Sequence, residues 1–343
     1  MRVLVIGGTG FVGYEVVKHL LDMGHDVTLF HRGNTNVEFP SCVRHIFGDR
    51  KKILDYQCEF RRIQPDVVLD TIPYTQNDAS SLLDAFAGVT RRIVALSSGD
   101  VYRSYGYLIG IEGSQPAPMP LAEDSPVRTK LFPYRRESTP KDDWCYDYDK
   151  LLVEETLLTA AGFQTTILRL PAVYGPRDEQ YRFYEFLKRM DDNRSAIILS
   201  QTRAAFRWTH SYVGDVGHAV ALAVSEERSV NRAYNVGAPQ TPSIYEWVTI
   251  IAQEVGWNGQ IVLLTNEELP PQLKWNGATG QHLVVDSSLI RSELGFSEIT
   301  SFSKGLSATI EWLRKAPQPT TVKYDYELED HLLATYKCGG TAT

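Results

Sequence analysis

Three tyrosine–lysine pairs with the same spacing are candidates for acid–base chemistry. They are Tyr14/Lys18, Tyr146/Lys150 and Tyr184/Lys188. Residues four apart share one face of a helix, so the ammonium group can lower the pKa of the phenol. The phenolate can then take a proton from a substrate hydroxyl. Spacing alone does not choose among the pairs, because a chain with 18 tyrosines supplies such matches by chance.

A glycine-rich turn near the start of the chain indicates a phosphate site. It follows the apolar run Val3–Ile6 and opens an amphipathic segment, Phe11–Met23. In such a turn Gly7 permits the sharp bend, Gly10 lets the backbone approach a pyrophosphate, and Gly13 lets helix and strand pack closely. The helix N-terminus adds free N–H groups and the positive end of its dipole. We predict a dinucleotide-binding Rossmann domain with contacts from the turn residues Gly7, Thr9, Gly10, Phe11, Val12 and Gly13.

The end of the second predicted strand bears on the choice of dinucleotide. An acidic residue there would hold the ribose 2′-hydroxyl of NAD, but His31 and Arg32 occupy the place. An arginine can pair with a 2′-phosphate, so the sequence slightly favours NADP over NAD, unless Arg32 is simply solvated. Asp49 is a candidate for the adenine amino group or an ordinary turn residue, and its neighbour Arg50 joins the predicted cofactor contacts.

The position of each pair along the chain favours the second one. Tyr14 lies on the helix after the glycine turn, and Tyr184 comes after the sixth predicted strand. Tyr146 opens a helix, predicted to run to Ala161, that follows the fifth predicted strand. Ligands of parallel α/β sheets bind beside the carboxyl ends of the strands, and a serine at the end of the fifth strand could hydrogen-bond the same substrate oxygen. We therefore expect Tyr146 and Lys150 to carry the chemistry.

Strand-like runs alternate with helical periodicity and predict an α/β fold. We expect a doubly wound parallel Rossmann sheet over residues 1–170, with returning segments at about 211–236, and a smaller C-terminal substrate-binding region. That region takes residues 171–210 and 237–315, and residues 316–343 form a peripheral tail. Six prolines interrupt the periodicity between Tyr102 and Trp144, which predicts a long loop that is functional or disordered.

Composition excludes several classes of protein. The net charge of −7 over 343 residues disfavours nucleic acid as a partner. Four scattered cysteines fit neither a metal site nor a disulfide framework, and no apolar run is long enough to cross a membrane. These features predict a cytoplasmic protein without a metal.

Six segments in order resemble the extended short-chain dehydrogenase/reductase family of NAD-dependent epimerases and dehydratases. The likeness runs from residue 1 to about 315. The segments are the glycine turn 7–13, Ser97–Tyr102, Tyr146-x-x-x-Lys150, Arg169–Pro176, Tyr212–Val216 and Tyr234–Gly237.

The resemblance implies roles for individual residues. Ser98, Tyr146 and Lys150 fall at the catalytic positions, and Lys150 also reaches the nicotinamide ribose. Asp100 falls where related dehydratases and decarboxylases carry a second acid–base group, although an aspartate there can also cap the following turn. Further cofactor contacts would come from Thr71, Ile72, Pro73, Ser97, Pro171 and Val173.

The substrate side departs from the family pattern. Ala172 stands where members that act on nucleotide sugars often carry asparagine, and Arg207 is one residue out of step with the arginine that grips a pyrophosphate. Arg203 or Arg207 could serve, or neither, and Tyr102 lines the pocket or packs within the loop. The loop 103–143 is longer than is usual in the family and could form a lid.

The resemblance implies an NAD(P)-dependent epimerase/dehydratase-type oxidoreductase, a homodimer, acting on a hydroxyl or ketone of a sugar nucleotide or related small molecule. One alternative is an NADPH-dependent ketone reductase of a biosynthetic pathway. Another is a non-catalytic RNA-binding relative of the fold, which the presence of Ser98, Tyr146 and Lys150 and the negative charge disfavour.

Overall fold

A seven-stranded parallel sheet forms the centre of the computed structural model, which describes residues 1–113, 115–319 and 324–339. Strand order is β10-β6-β5-β4-β1-β2-β3, so the chain winds outward in both directions from β1. This confirms the predicted doubly wound Rossmann sheet. The strands are β1 (Arg2–Ile6), β2 (Asp26–His31), β3 (Arg44–Phe47), β4 (Val67–Asp70), β5 (Arg92–Ser98), β6 (Gln164–Leu170), β7 (Ala172–Tyr174), β8 (Ala196–Ser200), β9 (His210–Tyr212), β10 (Arg232–Asn235) and β11 (Gln260–Leu264).

Helices cover both faces of the sheet and build the C-terminal region. They are α1 (Phe11–Asp22), α2 (Gln57–Ile63), α3 (Gln76–Phe86), α4 (Arg103–Leu108), α5 (Lys150–Leu158), α6 (Tyr184–Asp191), α7 (Gln201–Ala205), α8 (Val213–Ser225), α9 (Ile244–Val255), α10 (Ser288–Leu294), α11 (Phe302–Lys315) and α12 (Tyr326–Gly339). Helices α1 and α8 pack on one face of the sheet, where Val16, Val17 and Leu20 are fully buried. Each such side chain contributes roughly 1.5–3 kcal/mol by leaving water.

The C-terminal region has an apolar core of its own. Trp247 on α9 is buried among aromatic rings and stacks on Phe183, with ring centroids 4.5 Å apart. Two parallel strand pairs, β8–β11 and β7–β9, complete this region. The chain therefore builds a second packed body beside the carboxyl ends of the main strands, where a substrate pocket is expected.

The segment before α5 differs from the prediction. The helix begins at Lys150, not Tyr146, because the Asp149 carboxylate accepts a hydrogen bond from the N–H of Leu151 and caps the N-terminus. Turns occupy the preceding residues from 141 to 147. Tyr146 and Lys150 therefore do not share a helix face.

The long connection between β5 and α5 is fixed at several points. It forms α4, makes a bridge between Tyr102 and Val127, and pairs Leu121 with Val285 of the C-terminal region. Leu121 of this connection is buried in an apolar cluster with Val101 and Tyr102, so the connection is a packed part of the fold.

The tail beyond residue 315 includes a helix that docks on the C-terminal region. On α12, Glu329 is buried against Arg189 of α6, with Nη2–Oε1 at 2.5 Å. Residues 320–323 and 340–343 of the predicted tail lie outside the described residues.

Within the described ranges, no helix is both long and apolar enough to span a bilayer. Nor do three or more histidine, cysteine or acidic side chains in those ranges converge as metal ligands would.

Candidate functional site

The glycine turn leaves the N-terminus of α1 open. Gly10 occupies the N-cap position without a side-chain cap, and its N–H donates to the Gly7 carbonyl at 3.2 Å. A Cβ at Gly13 would lie 2.5 Å from the Gly7 oxygen, so only glycine fits there. A Cβ at Gly10 would meet only that oxygen at 3.6 Å, which is ordinary contact. The fold itself therefore tolerates a side chain at residue 10, so packing within the protein does not require the glycine there.

The remaining turn residues lie around this opening. Thr9 is buried, and Phe11 and Val12 are half-buried against the core. Arg177, which the sequence reasoning did not single out, lies over the Tyr14 ring at 4.2 Å with its guanidinium 3.5 Å from the Thr9 carbonyl oxygen. It places a positive charge beside the turn, and its signal in the sequence was its position directly after the resemblance segment Arg169–Pro176.

The end of β2 presents an imidazole pair. His31 Nε2 lies 2.8 Å from His45 Nδ1, and the Gly33 N–H donates to His31 Nδ1. Burial, followed by the effect of His45, lowers the pKa of His31. Arg32 is exposed next to this pair.

Asp49 and Arg50 have partners within the protein. The Asp49 carboxylate accepts from the Lys51 N–H at 3.0 Å and caps a short 3₁₀ helix. Arg50 is buried and pairs with Asp70 and Asp78. Arg50 therefore neutralises a buried carboxylate at the end of β4.

Lys150 lies where β4 and β5 end. Its ammonium donates to the carbonyl oxygens of Pro73 at 2.8 Å and Leu96 at 2.9 Å and sits 4.9 Å from the Tyr74 ring centroid. Burial lowers its pKa to about 8, although Asp100 acts in the opposite direction. Nearby, the Thr71 hydroxyl donates to the Ile6 carbonyl, so the segment after β4 contacts the start of the glycine turn.

Asp100 is the centre of a buried hydroxyl cluster. Its Oδ2 accepts from the hydroxyl of Tyr148 at 2.8 Å and from that of Tyr134 at 3.1 Å. Tyr105 extends the chain, with its hydroxyl 3.0 Å from that of Tyr134. The cap of the following turn is Ser98, whose oxygen accepts from the Asp100 N–H. The Asp100 carboxylate thus faces the tyrosines, and Ser98, not Asp100, caps the following turn.

Burial dominates the electrostatics of this cluster. Burial raises the pKa of Asp100, although Tyr148 and Arg128 counteract the rise. Burial and the neighbouring Asp100 also raise the pKa of Tyr148 well above its usual value, with Ser98 acting in the opposite direction. Burial therefore favours the neutral form of both the Asp100 carboxyl group and the Tyr148 phenol.

Tyr146 lies outside this cluster. Its ring carries the Arg135 guanidinium at 4.2 Å, and its carbonyl oxygen accepts from Arg135 Nε at 2.7 Å. Among the described residues its hydroxyl makes no hydrogen bond. The structure thus brings together Ser98, Asp100 and Lys150 of the predicted catalytic residues and adds Tyr148, which the four-residue spacing did not select.

Ser97 and Tyr102 face a separate polar network behind the site. Ser97 donates to Glu154 at 2.5 Å, and Glu154 pairs with Arg169. The Tyr102 hydroxyl donates to Asn235 at 2.6 Å and accepts from Arg169. Because this network joins β5, β6, β10 and α5 in the interior, it holds those elements in register.

The residues predicted to bind substrate, and the predicted cofactor contacts Pro171 and Val173, have neighbours within the protein. Ala172 and Val173 are buried on β7, with Pro171 half-buried before them. Arg203 pairs with Glu185, and Arg207 pairs with Glu246 at 2.9 Å.

The fold agrees with comparisons to known proteins. The sequence model of the NAD dependent epimerase/dehydratase family matches residues 3–237. The chain is 25% identical, over 92% of its length, to the UDP-N-acetyl-alpha-D-glucosaminuronate decarboxylase of Bacillus cytotoxicus, of which it covers 98%.

Two solved structures share the fold. One is the UDP-glucose 4-epimerase of Thermotoga maritima with UDP-glucose, at TM-score 0.68 and 19% identity, with 92% of this chain and 99% of that chain covered. The other is the UDP-glucuronic acid 4-epimerase of Bacillus cereus in complex with UDP-glucuronic acid and NAD. Its TM-score is 0.67 at 18% identity, and the same shares of the two chains are covered.

Proposed function

The chain belongs to the NAD-dependent epimerase/dehydratase family, and from that premise we propose that it oxidises a hydroxyl group of a nucleotide sugar by hydride transfer. The observation that carries the proposal is the convergence of Ser98, Asp100 and Lys150 beside the glycine turn. Ser98 ends β5, Asp100 follows it, and the Lys150 ammonium donates to the carbonyl groups of Leu96 on β5 and Pro73 after β4, at the sheet edge where ligands of this architecture bind.

The dinucleotide fits the residues that are present. The open N-terminus of α1 and the space at Gly10 suit a pyrophosphate, with Arg177 beside it. Thr71–Pro73 and Lys150 lie on the path from the turn toward β5. When bound, the nicotinamide would accept a hydride from the substrate carbon.

Arg32 supports a slight preference for NADP. It is exposed at the end of β2, and no carboxylate stands at that strand end to repel a 2′-phosphate.

The acid–base group is one of two tyrosines. The spacing to Lys150 nominates Tyr146, and the contact with Asp100 nominates Tyr148. Epimerisation, loss of water and release of the ketone share this first oxidation. A ketone reductase would run the same step in reverse and consume external NADPH.

The test has two parts. Protein purified without added cofactor is denatured and the released small molecules are identified by mass spectrometry. The protein is then incubated with UDP-glucose or UDP-glucuronic acid, and the sugar product and the dinucleotide redox state are followed. We expect a bound NAD(P) and a changed sugar without net consumption of dinucleotide. Stoichiometric loss of NADPH on a ketone panel would instead identify a reductase.

The third tyrosine–lysine pair, Tyr184/Lys188, supplies a matched control. Lys150→Met should abolish turnover, whereas Lys188→Met should not, because Lys188 pairs with Asp192 on the surface of the C-terminal region. Absence of any bound or binding dinucleotide, together with no turnover, would contradict the proposal. The homodimer implied by the resemblance stays a prediction, which light scattering of the purified protein tests.

A further inference from the structure

We propose that Tyr148 and Asp100 form the proton-transfer pair at the reacting hydroxyl, and that Tyr146 is a positioning residue for the loop. This inference rests on the proposed function and specifies which side chains carry its proton transfer. The juxtaposition that carries it is the 2.8 Å hydrogen bond from the Tyr148 hydroxyl to Asp100 Oδ2, formed beside Ser98.

Surrounding aromatic rings hold Tyr148 in place, with its hydroxyl against Asp100. Its side chain is 7% exposed and packs against the rings of Tyr74, Tyr134 and Trp144. The hydroxyl donates to Asp100, whose backbone N–H donates to Ser98, the serine at the end of β5. The two-residue separation from Lys150 is compatible with this placement because Asp149 is extended and the helix begins only at Lys150.

Asp100 is placed to receive a proton and not merely to orient the ring. It is 4% exposed, its Oδ2 accepts two tyrosine hydroxyls, and its Oδ1 has no hydrogen-bond partner among the described residues. A carboxylate with a free buried oxygen is costly, and protonation relieves that cost. The charged groups that face it are Arg128, whose Nε donates to the Asp100 carbonyl, and Lys150.

Tyr146 lacks the corresponding contacts. Its ring is stacked under Arg135, which also bonds its carbonyl oxygen and pairs with Asp147 at 2.9 Å. A guanidinium that bonds the backbone and covers the ring fixes the turn before α5. This contact explains why a tyrosine suits residue 146 without a catalytic role for its hydroxyl.

The proton step balances as a relay. The substrate O–H bond breaks as its proton passes to the Tyr148 oxygen, and the Tyr148 proton passes to Asp100 Oδ2. The substrate carbon becomes a carbonyl, and its hydride goes to the nicotinamide of the proposed function. Asp100 changes from carboxylate to neutral acid while Tyr148 ends as it began. A relay of this kind does not require a free phenolate, in agreement with the raised pKa of Tyr148.

Paired conservative substitutions test the assignment. Tyr148→Phe and Tyr146→Phe each remove one hydroxyl from otherwise unchanged rings. We expect the first to lower kcat on the order of 10²–10⁴-fold and the second to change it by a few-fold only, with the KM for the nucleotide sugar little changed in both. The reverse ranking would overturn the proposal.

Asp100→Asn keeps the size of the side chain but removes its ability to accept a proton. It therefore distinguishes loss of the proton relay from loss of packing. Wild-type oxidation should slow as the pH falls through the raised pKa of Asp100, because the protonated acid cannot accept a proton. The variant should be slow and lack this dependence. A fast Asp100→Asn enzyme with an unchanged pH profile would contradict the relay.

An infrared pH titration of the substrate-free protein gives a readout other than turnover. We expect a band of a protonated carboxyl group that persists at a pH above the usual carboxyl pKa. This band should be absent from Asp100→Asn. Thermal unfolding and dinucleotide binding of each variant distinguish lost chemistry from lost structure. If the wild-type protein turns over no sugar, the proposed function fails; if it is active and only the tyrosine ranking is reversed, the relay alone fails.

Discussion

Arg128 and Asp149 form an ion pair that is sealed from solvent. Arg128 Nη2 lies 2.8 Å from Asp149 Oδ1, and both side chains are 0% exposed. Arg128 also donates to the Asp100 carbonyl oxygen, while Asp149 caps α5 and accepts from the Phe132 N–H at 2.6 Å. One pair therefore joins the long connection to the first turn of the helix that carries Lys150.

Arg128→Met should destabilise the protein by about 3–5 kcal/mol, because it leaves the Asp149 charge buried without a partner. Urea denaturation followed by circular dichroism measures the change. The same variant should lose turnover, since the start of α5 shifts with its cap.

Arg103→Met is the matched control, because Arg103 is exposed on α4 of the same connection. We expect it to remain within about 0.5 kcal/mol of wild type. Equal losses of unfolding free energy in the two variants would show that the buried ion pair contributes no more to stability than an exposed arginine does.

Gly10→Ala should weaken dinucleotide binding at least about tenfold without unfolding the protein. The added methyl group makes ordinary contact with the protein, but it occupies the space through which a phosphate approaches the α1 N-terminus. Titration calorimetry with NAD+ and NADP+ measures the affinity, and thermal unfolding checks the fold. Gly113→Ala, which meets no neighbour, is the control, and an unaltered affinity in Gly10→Ala would place the pyrophosphate elsewhere.

Arg32→Ala should lower the affinity for NADP+ about tenfold and leave that for NAD+ nearly unchanged. The reason is that only the 2′-phosphate offers the arginine a charged partner. Binding is compared by fluorescence titration at one salt concentration, because ion pairs at exposed sites are screened. Arg62→Ala on α2 removes an exposed arginine elsewhere and should change neither affinity. An equal loss for both dinucleotides in Arg32→Ala would remove the basis for a preference.

The buried His210 should make stability depend on pH. Burial lowers its pKa to about 4, while its ring packs on Phe183 and Trp247. The unfolded chain binds the proton at about pH 6.5 and the native chain does not, so native stability is full above that pH and declines as the pH falls toward 4. The loss amounts to about 3 kcal/mol.

Urea midpoints of wild type and His210→Gln between pH 4 and 7 check this expectation. The variant starts less stable, because its side chain fits the aromatic cage less well, but its stability should decline less steeply with acid. Parallel declines would show that His210 does not govern this range.

The local parts of the fold follow from the sequence more directly than the contacts between distant parts. An apolar run predicts β1, three glycines predict the turn, and an amphipathic segment predicts α1. The structure has all three where the sequence predicts them. The helix starts at Lys150, not Tyr146, because Asp149 is a good N-cap residue, a local signal that the Tyr-x-x-x-Lys spacing does not contain. This cap places Tyr148 immediately before the helix.

Other features have no local signal. Arg189 and Glu329 are 140 residues apart, and nothing in an acidic tail shows that one of its carboxylates is buried. The same holds for Arg128, which lies within a proline-rich stretch and finds Asp100 and Asp149 only in the folded chain. Such pairings depend on the topology of the folded chain. Residue types and the periodicity of apolar residues do not predict that topology.

The strand order also bears on how the molecule assembles during synthesis. β1 to β5 are complete once about the first hundred residues have emerged, and they form five adjacent strands of the sheet with the glycine turn already in place. β6 and β10 add later at the β5 edge, and the bond between Tyr102 and Asn235 spans 133 residues. Because chains fold from the N-terminus as they leave the ribosome, the part proposed to hold the dinucleotide can form early. The proposed acid–base cluster needs Arg128, Tyr134 and Tyr148 and forms only afterwards. An incomplete chain would therefore be expected to bind a cofactor before it can catalyse a reaction.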